Sequence, residues 1–262
     1  MQTKTLSLFG GLVLLTFSGA GYAQDVTVMI SGGFRAALEK LAPDYERQSG
    51  NHLLVIPGPS MGKTPQAIPN RLARGEHADV VIMVGDALTD LETLHRTAPG
   101  TRTELADSPI GMVVRQGAPV PVIKTEADLR ATLLRASSIA YSDSASGRYV
   151  SGALFKRLGI EPDVQTRARM VERIPVASEV AKGHYAVGLQ QVSELLPEAG
   201  VTFVGELPDS VQYITRFAGA VTATAEHPRE GQALLTFLAS PQAQKTVRAT
   251  GMRTVQPVHA TP

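Results

Sequence analysis

The sequence predicts a two-lobed α/β protein, each lobe a mostly parallel sheet flanked by helices. Three observations carry that expectation. Short, almost wholly apolar runs alternate with longer segments of helical periodicity, the pattern of parallel strands buried on both faces. The alternation runs once to about residue 107 and starts again at about residue 108. About 239 residues follow an apolar N-terminal stretch, enough for two lobes of ordinary size.

Taken in order, the chain opens with Lys4, an apolar run from Leu6 to Phe17, and the small residues Gly21 and Ala23. That is a signal peptide cleaved near Ala23, and its apolar core is too short to span roughly 30 Å of hydrocarbon. Val26–Ile30 reads as a buried strand. The next helix shows Phe34, Leu38, Leu41 and Tyr45 at spacings of four, three and four, and it stops at Ser49-Gly50. Leu53–Ile56 is a second strand, a polar helix around Arg71–Arg74 follows, and Asp79–Val84 is a third strand with Asp86 capping its helix. The second series runs through Ile110–Val114, a helix at Ala127–Leu134, the strand Ser138–Tyr141 and a helix from Ser146 to Leu158. Strands follow at Ala186–Gln190 and Val201–Val204, then an apolar-rich stretch over Gln212–Thr222 and helices at Pro228–Ala239 and Pro241–Thr250. Crossings near Asp107–Gly111 and Arg216–Gly219 would make lobe 1 residues 24–107 plus 217–262 and lobe 2 residues 108–216.

Composition excludes several classes of function. Without residues 1–23, which hold one basic and no acidic side chain, 24 basic residues balance 24 acidic ones, so no basic face for nucleic acid is expected. The absence of Trp argues against stacking on sugars, and the absence of Cys excludes both disulfides and a lipid anchor built on a thiol. His52, His77, His95, His184, His227 and His259 are scattered, so neither a metal centre nor any other cofactor is expected.

Three strand-to-helix loops have the chemistry to hold an anion. Ser31-Gly32-Gly33 opens a helix, where free N–H groups and the helix dipole favour negative charge. The loop from Gly58 through Ser60 and Gly62 to Lys63 nearly matches a nucleotide phosphate loop, but Pro57 stands where that motif needs glycine. Ser60 and Lys63 still suit an anion. Ser144, Ser146 and Gly147 open a helix in the second series, with hydroxyls and amides to offer. A serine nucleophile there would need the Gly-x-Ser-x-Gly elbow and a base, and neither is present.

With these landmarks the sequence resembles the periplasmic molybdate-binding proteins of ABC transporters. The similarity rests on Ser31-Gly32-Gly33-Phe34, on Arg74 through Asp79 to Ile82, and on Ser144–Gly147. It extends through Ala181–Gly188 and the closing Phe237–Ala243. The resemblance implies the periplasmic-binding-protein fold, two lobes hinged over a dehydrated anion, and a periplasmic monomer serving a membrane permease. It places the first serine donor at or near Gly33, with Ser31 two positions earlier. The second serine falls at Ser60, a backbone donor near Ser146, and the residues replacing a closing tyrosine at Gln190 and Gln191. Arg35 and Lys63 have no counterpart in that neutral-donor pattern. A guanidinium grips carboxylates in bidentate fashion, so a small carboxylate is expected ahead of a molybdate-like oxyanion. No catalysis is expected. The alternatives are a serine hydrolase using Ser144 or Ser146, and a sensory binding protein presenting its ligand to a receptor.

Overall fold

The computed structural model describes residues 23–172 and 174–255, so the expected signal peptide lies outside the described residues. The first sheet contains β1 (Asp25–Ile30), β2 (His52–Pro57), β3 (Val80–Val84), β4 (Thr103–Ser108) and β10 (Thr215–Val221), in the order β2-β1-β3-β10-β4. The second contains β5 (Ile110–Arg115), β6 (Ile139–Ser142), β7 (Ala168–Val171), β8 (Val187–Gln191) and β9 (Val201–Glu206), in the order β7-β6-β8-β5-β9. The two orders are the same pattern used twice. In each sheet four of five strands point one way, and the fourth in line, β10 or β5, runs antiparallel to both neighbours.

The apolar runs became strands because both sheet faces are covered. All five residues of β3 and of β8 are buried. Two large cores result, one under each sheet, and Phe34, Leu38, Leu41 and Tyr45 pack their stripe into the first.

The chain passes from the first sheet to the second at Pro109 and returns ahead of Thr215, so Arg216–Gly219 lie within β10 rather than at a crossing. Asp86 sits in the first turn of the helix Gly85–Thr93, whose N-cap is Val84 and not, as the spacing predicts, the aspartate. β4 and the four-residue β7 are additional to the expected strands. Arg216 clasps Asp107 through two bonds of 2.8 and 3.0 Å, pinning β10 to β4 beside the crossing. Gln212 does the same for the other strand, accepting from Ile110 N–H at 2.9 Å and donating to its carbonyl at 3.0 Å. No helix among the described residues is long and apolar enough to cross a membrane.

Candidate functional site

A cavity of about 390 Å³ lies between the two sheets, at the carboxyl ends of β1, β2, β3, β6 and β8. This is the position where open α/β sheets present helix N-termini to ligands. Of the residues singled out in the sequence, Ser31, Gly32, Gly33, Arg35, Ser60, Ser144, Gln190 and Gln191 line it. Lys63 is exposed outside the lining. Ser146 is buried behind it, its hydroxyl 2.9 Å from that of Ser142, and Gly147 packs so closely on the Ser142 carbonyl that an added Cβ would lie 1.6 Å from the oxygen.

Ser31 follows β1 and is the N-cap of the 18-residue helix Gly32–Ser49, but its side chain caps nothing. Its hydroxyl is buried without a partner. Buried hydroxyls are normally satisfied, so an unmatched one facing a cavity is a donor prepared for a ligand. Ser60 is 4% exposed, and its oxygen accepts from Val84 N–H at 2.9 Å. That bond occupies a lone pair and leaves the O–H free to donate. Gly33 brings the helix N-terminus against the floor of the cavity: a Cβ there would meet the Phe217 ring at 2.3 Å. Arg35 stands at the rim, half exposed and paired with Glu39 at 2.6 Å.

One lining residue was not legible in the sequence. Glu194, in the short helix Val192–Leu195 after β8, turns its carboxyl toward Gly32, where an added Cβ would lie 2.6 Å from Oε2. Gln190 fixes the group. Its amide oxygen accepts from Val176 N–H at 3.1 Å, so its nitrogen must be the donor to Glu194 Oε2 at 2.7 Å. By surface area Glu194 is only partly shielded, yet the carboxyl itself is enclosed. Burial pushes its pKa up to about 7, the nearby Asp143 adds to the rise, and the Gln190 bond opposes it. The neighbouring Ser193 donates to the Gly33 carbonyl at 2.7 Å, a buried bond joining the two lobes.

The site combines unspent hydroxyl donors, a helix N-terminus, one arginine and an acid that changes charge near neutral pH. No histidine lines it among the described residues. No group of three His, Cys, Asp or Glu side chains suited to a metal occurs among the described residues either.

The profile of the bacterial extracellular solute-binding protein family matches residues 26–253. Over 257 residues, 97% of each chain, the sequence is 44% identical to a Pseudomonas sp. protein named aconitate isomerase. It is 25% identical over 240 residues to the molybdate-binding protein ModA of Azotobacter vinelandii, covering 88% of this chain and 91% of that one. Among solved structures, the sulfate-binding protein SubI from Mycobacterium tuberculosis superposes with a TM-score of 0.68 at 19% identity, covering 89% and 88% of the two chains.

Proposed function

Because the chain belongs to the bacterial extracellular solute-binding protein family, we propose that its cleft captures a small polycarboxylate of the aconitate class and isomerises it. The observation that carries this reading is the 44% identity, spread over 97% of both chains, to a protein named for that activity.

The chemistry of the cleft supports it. Aconitate is a propene bearing three carboxylates, an anion that rewards many donors. Ser31, Ser60 and the amides at the start of the helix Gly32–Ser49 offer neutral ones, and Arg35 adds a fixed cation at the rim. A tetrahedral oxyanion needs only the neutral set. The expected signal peptide would send the chain to the periplasm. The second reading is capture alone, with delivery to a membrane permease and no chemistry, and the two-lobed family fold favours it.

The test is calorimetry against cis-aconitate, trans-aconitate, citrate, molybdate and tungstate, with the aconitate isomers followed by proton NMR. Aconitate should bind, and either isomer should relax to the same mixture. Tight molybdate binding without aconitate binding would overturn the proposal, whereas aconitate binding without interconversion would leave capture alone.

A further inference from the structure

We infer that Glu194 is the catalytic acid–base of the cleft, moving a proton to and from the carbon skeleton of the bound polycarboxylate. The inference rests on the isomerase reading above and adds the residue that performs it.

Isomerising a substituted propene about its double bond requires that the π bond be opened. A methylene that flanks the double bond and carries a carboxylate offers a route without any co-reactant. A base takes one methylene proton, and the C–H electron pair spreads over the three carbons and the attached carboxylate. The former double bond is then free to turn. The protonated base then returns a proton to one end of the three-carbon unit, and the double bond re-forms. Atoms and charge balance, and the enzyme is left as it began. The site therefore needs one base, such as a carboxylate, that is unprotonated before the transfer and protonated after it.

Glu194 is placed and held for that work. Gln190 ties down Oε2, whose orientation follows from the Val176 N–H on the opposite atom of the amide. No protein hydrogen bond to Oε1 is present among the described residues, which leaves that oxygen for the substrate. Gly32 lacks the Cβ that would collide with the carboxyl, so the acid sits directly against the helix N-terminus that receives the anion. Ile174, Pro175 and Phe217 give the same cavity an apolar wall. Ionised, the group repels the ligand's own carboxylates; protonated, it can donate to one of them. Asp143 lies near enough for its repulsion to favour the neutral acid, and Arg35 is the other charged residue in the cavity's lining. Burial already holds the carboxyl near pH 7, where gain and loss of a proton are both easy.

The experiment compares wild type with Glu194→Gln, which preserves shape and can still accept from Gln190. Aconitate binding, by calorimetry, should stay within about threefold. Interconversion should fall by about a hundredfold or more, the usual loss of a general acid–base. In D₂O the wild type should place deuterium on the aconitate carbons and the variant should not. The wild-type rate should also rise through an apparent pKa near 7 as the carboxylate ionises. If the Gln variant fails to fold, Glu194→Asp should keep this pH profile at reduced rate. A Gln variant that turns over and exchanges like wild type would overturn the inference, as would equal losses of binding and turnover. Wild type that binds aconitate without isomerising it would instead remove the isomerase reading, and Glu194's role with it.

Discussion

Ser31 and Glu194 are two side chains of the cleft with bonding capacity that the fold leaves unused. Ser31 caps no N–H, so Ser31→Ala forfeits none of the roughly 1 kcal/mol that an N-cap serine usually supplies. Its buried hydroxyl also has no partner. Free-protein stability should therefore be unchanged or rise by up to about 1 kcal/mol in urea titrations, while anion affinity falls about tenfold or more. Glu194 predicts a pH dependence of opposite sign to the usual carboxylate. Its folded pKa lies above the ordinary 4.5, at about 7, so the folded protein holds the proton more tightly than the unfolded chain. Stability from this group is complete below pH 4.5, declines from there to about 7, and is lost above. Partial exposure limits the total to about 2 kcal/mol. Melting curves at pH 5 and pH 8 should differ more for wild type than for Glu194→Gln. The serine loops were legible because serine and glycine between strand and helix have a local meaning. Glu194 was not, since only the contact with Gly32 across the lobes and the proximity of Asp143 give it one. The available signal was its place just beyond the carboxyl end of β8, with Gln190 four residues before it.

Elements with a period announced themselves, and elements held by distant partners did not. The helix Gly32–Ser49 and the runs that became β1, β3, β5 and β8 could be read directly, because each buries a regular apolar set. β4 and β7 mix polar with apolar residues, β7 is only four residues long, and the helix Val192–Leu195 also has four, too few to show a stripe. Asp79 shows why one stretch of the sequence looked distinctive without disclosing its reason. It is fully buried before β3, and its carboxylate accepts from Thr27 N–H at 2.9 Å and His227 N–H at 2.8 Å. One side chain thus joins β1 to the start of the helix Pro228–Ala239. Asp79→Ala would strand both donors and should lower stability by about 3 kcal/mol in urea unfolding. Asp79→Asn, which keeps one acceptor, should lower it less.

At the scale of the whole molecule, buried bonds join the lobes at Ser193 to Gly33 and at Gln191 to Thr215. Losing the Ser193 bond should cost about 1 kcal/mol in the closed form only, about a fivefold loss of ligand affinity. Small-angle scattering should show a larger radius of gyration for free Ser193→Ala than for free wild type, and compaction of both on saturation with ligand. No change in either would mean a rigid cleft. The strand order has a further consequence, for the timing of folding. β10 lies between β3 and β4, so the first sheet cannot close until a strand encoded more than 100 residues later has been made. The second sheet, from β5 to β9, is one continuous segment. A chain growing from its N-terminus therefore completes its middle before its beginning: β1, β2 and β3 can pair together, but β3 keeps an open edge and β4 has no neighbour until β10 arrives. For a protein expected to cross a membrane unfolded, that delay is useful: the half that emerges first is the half that cannot yet fold.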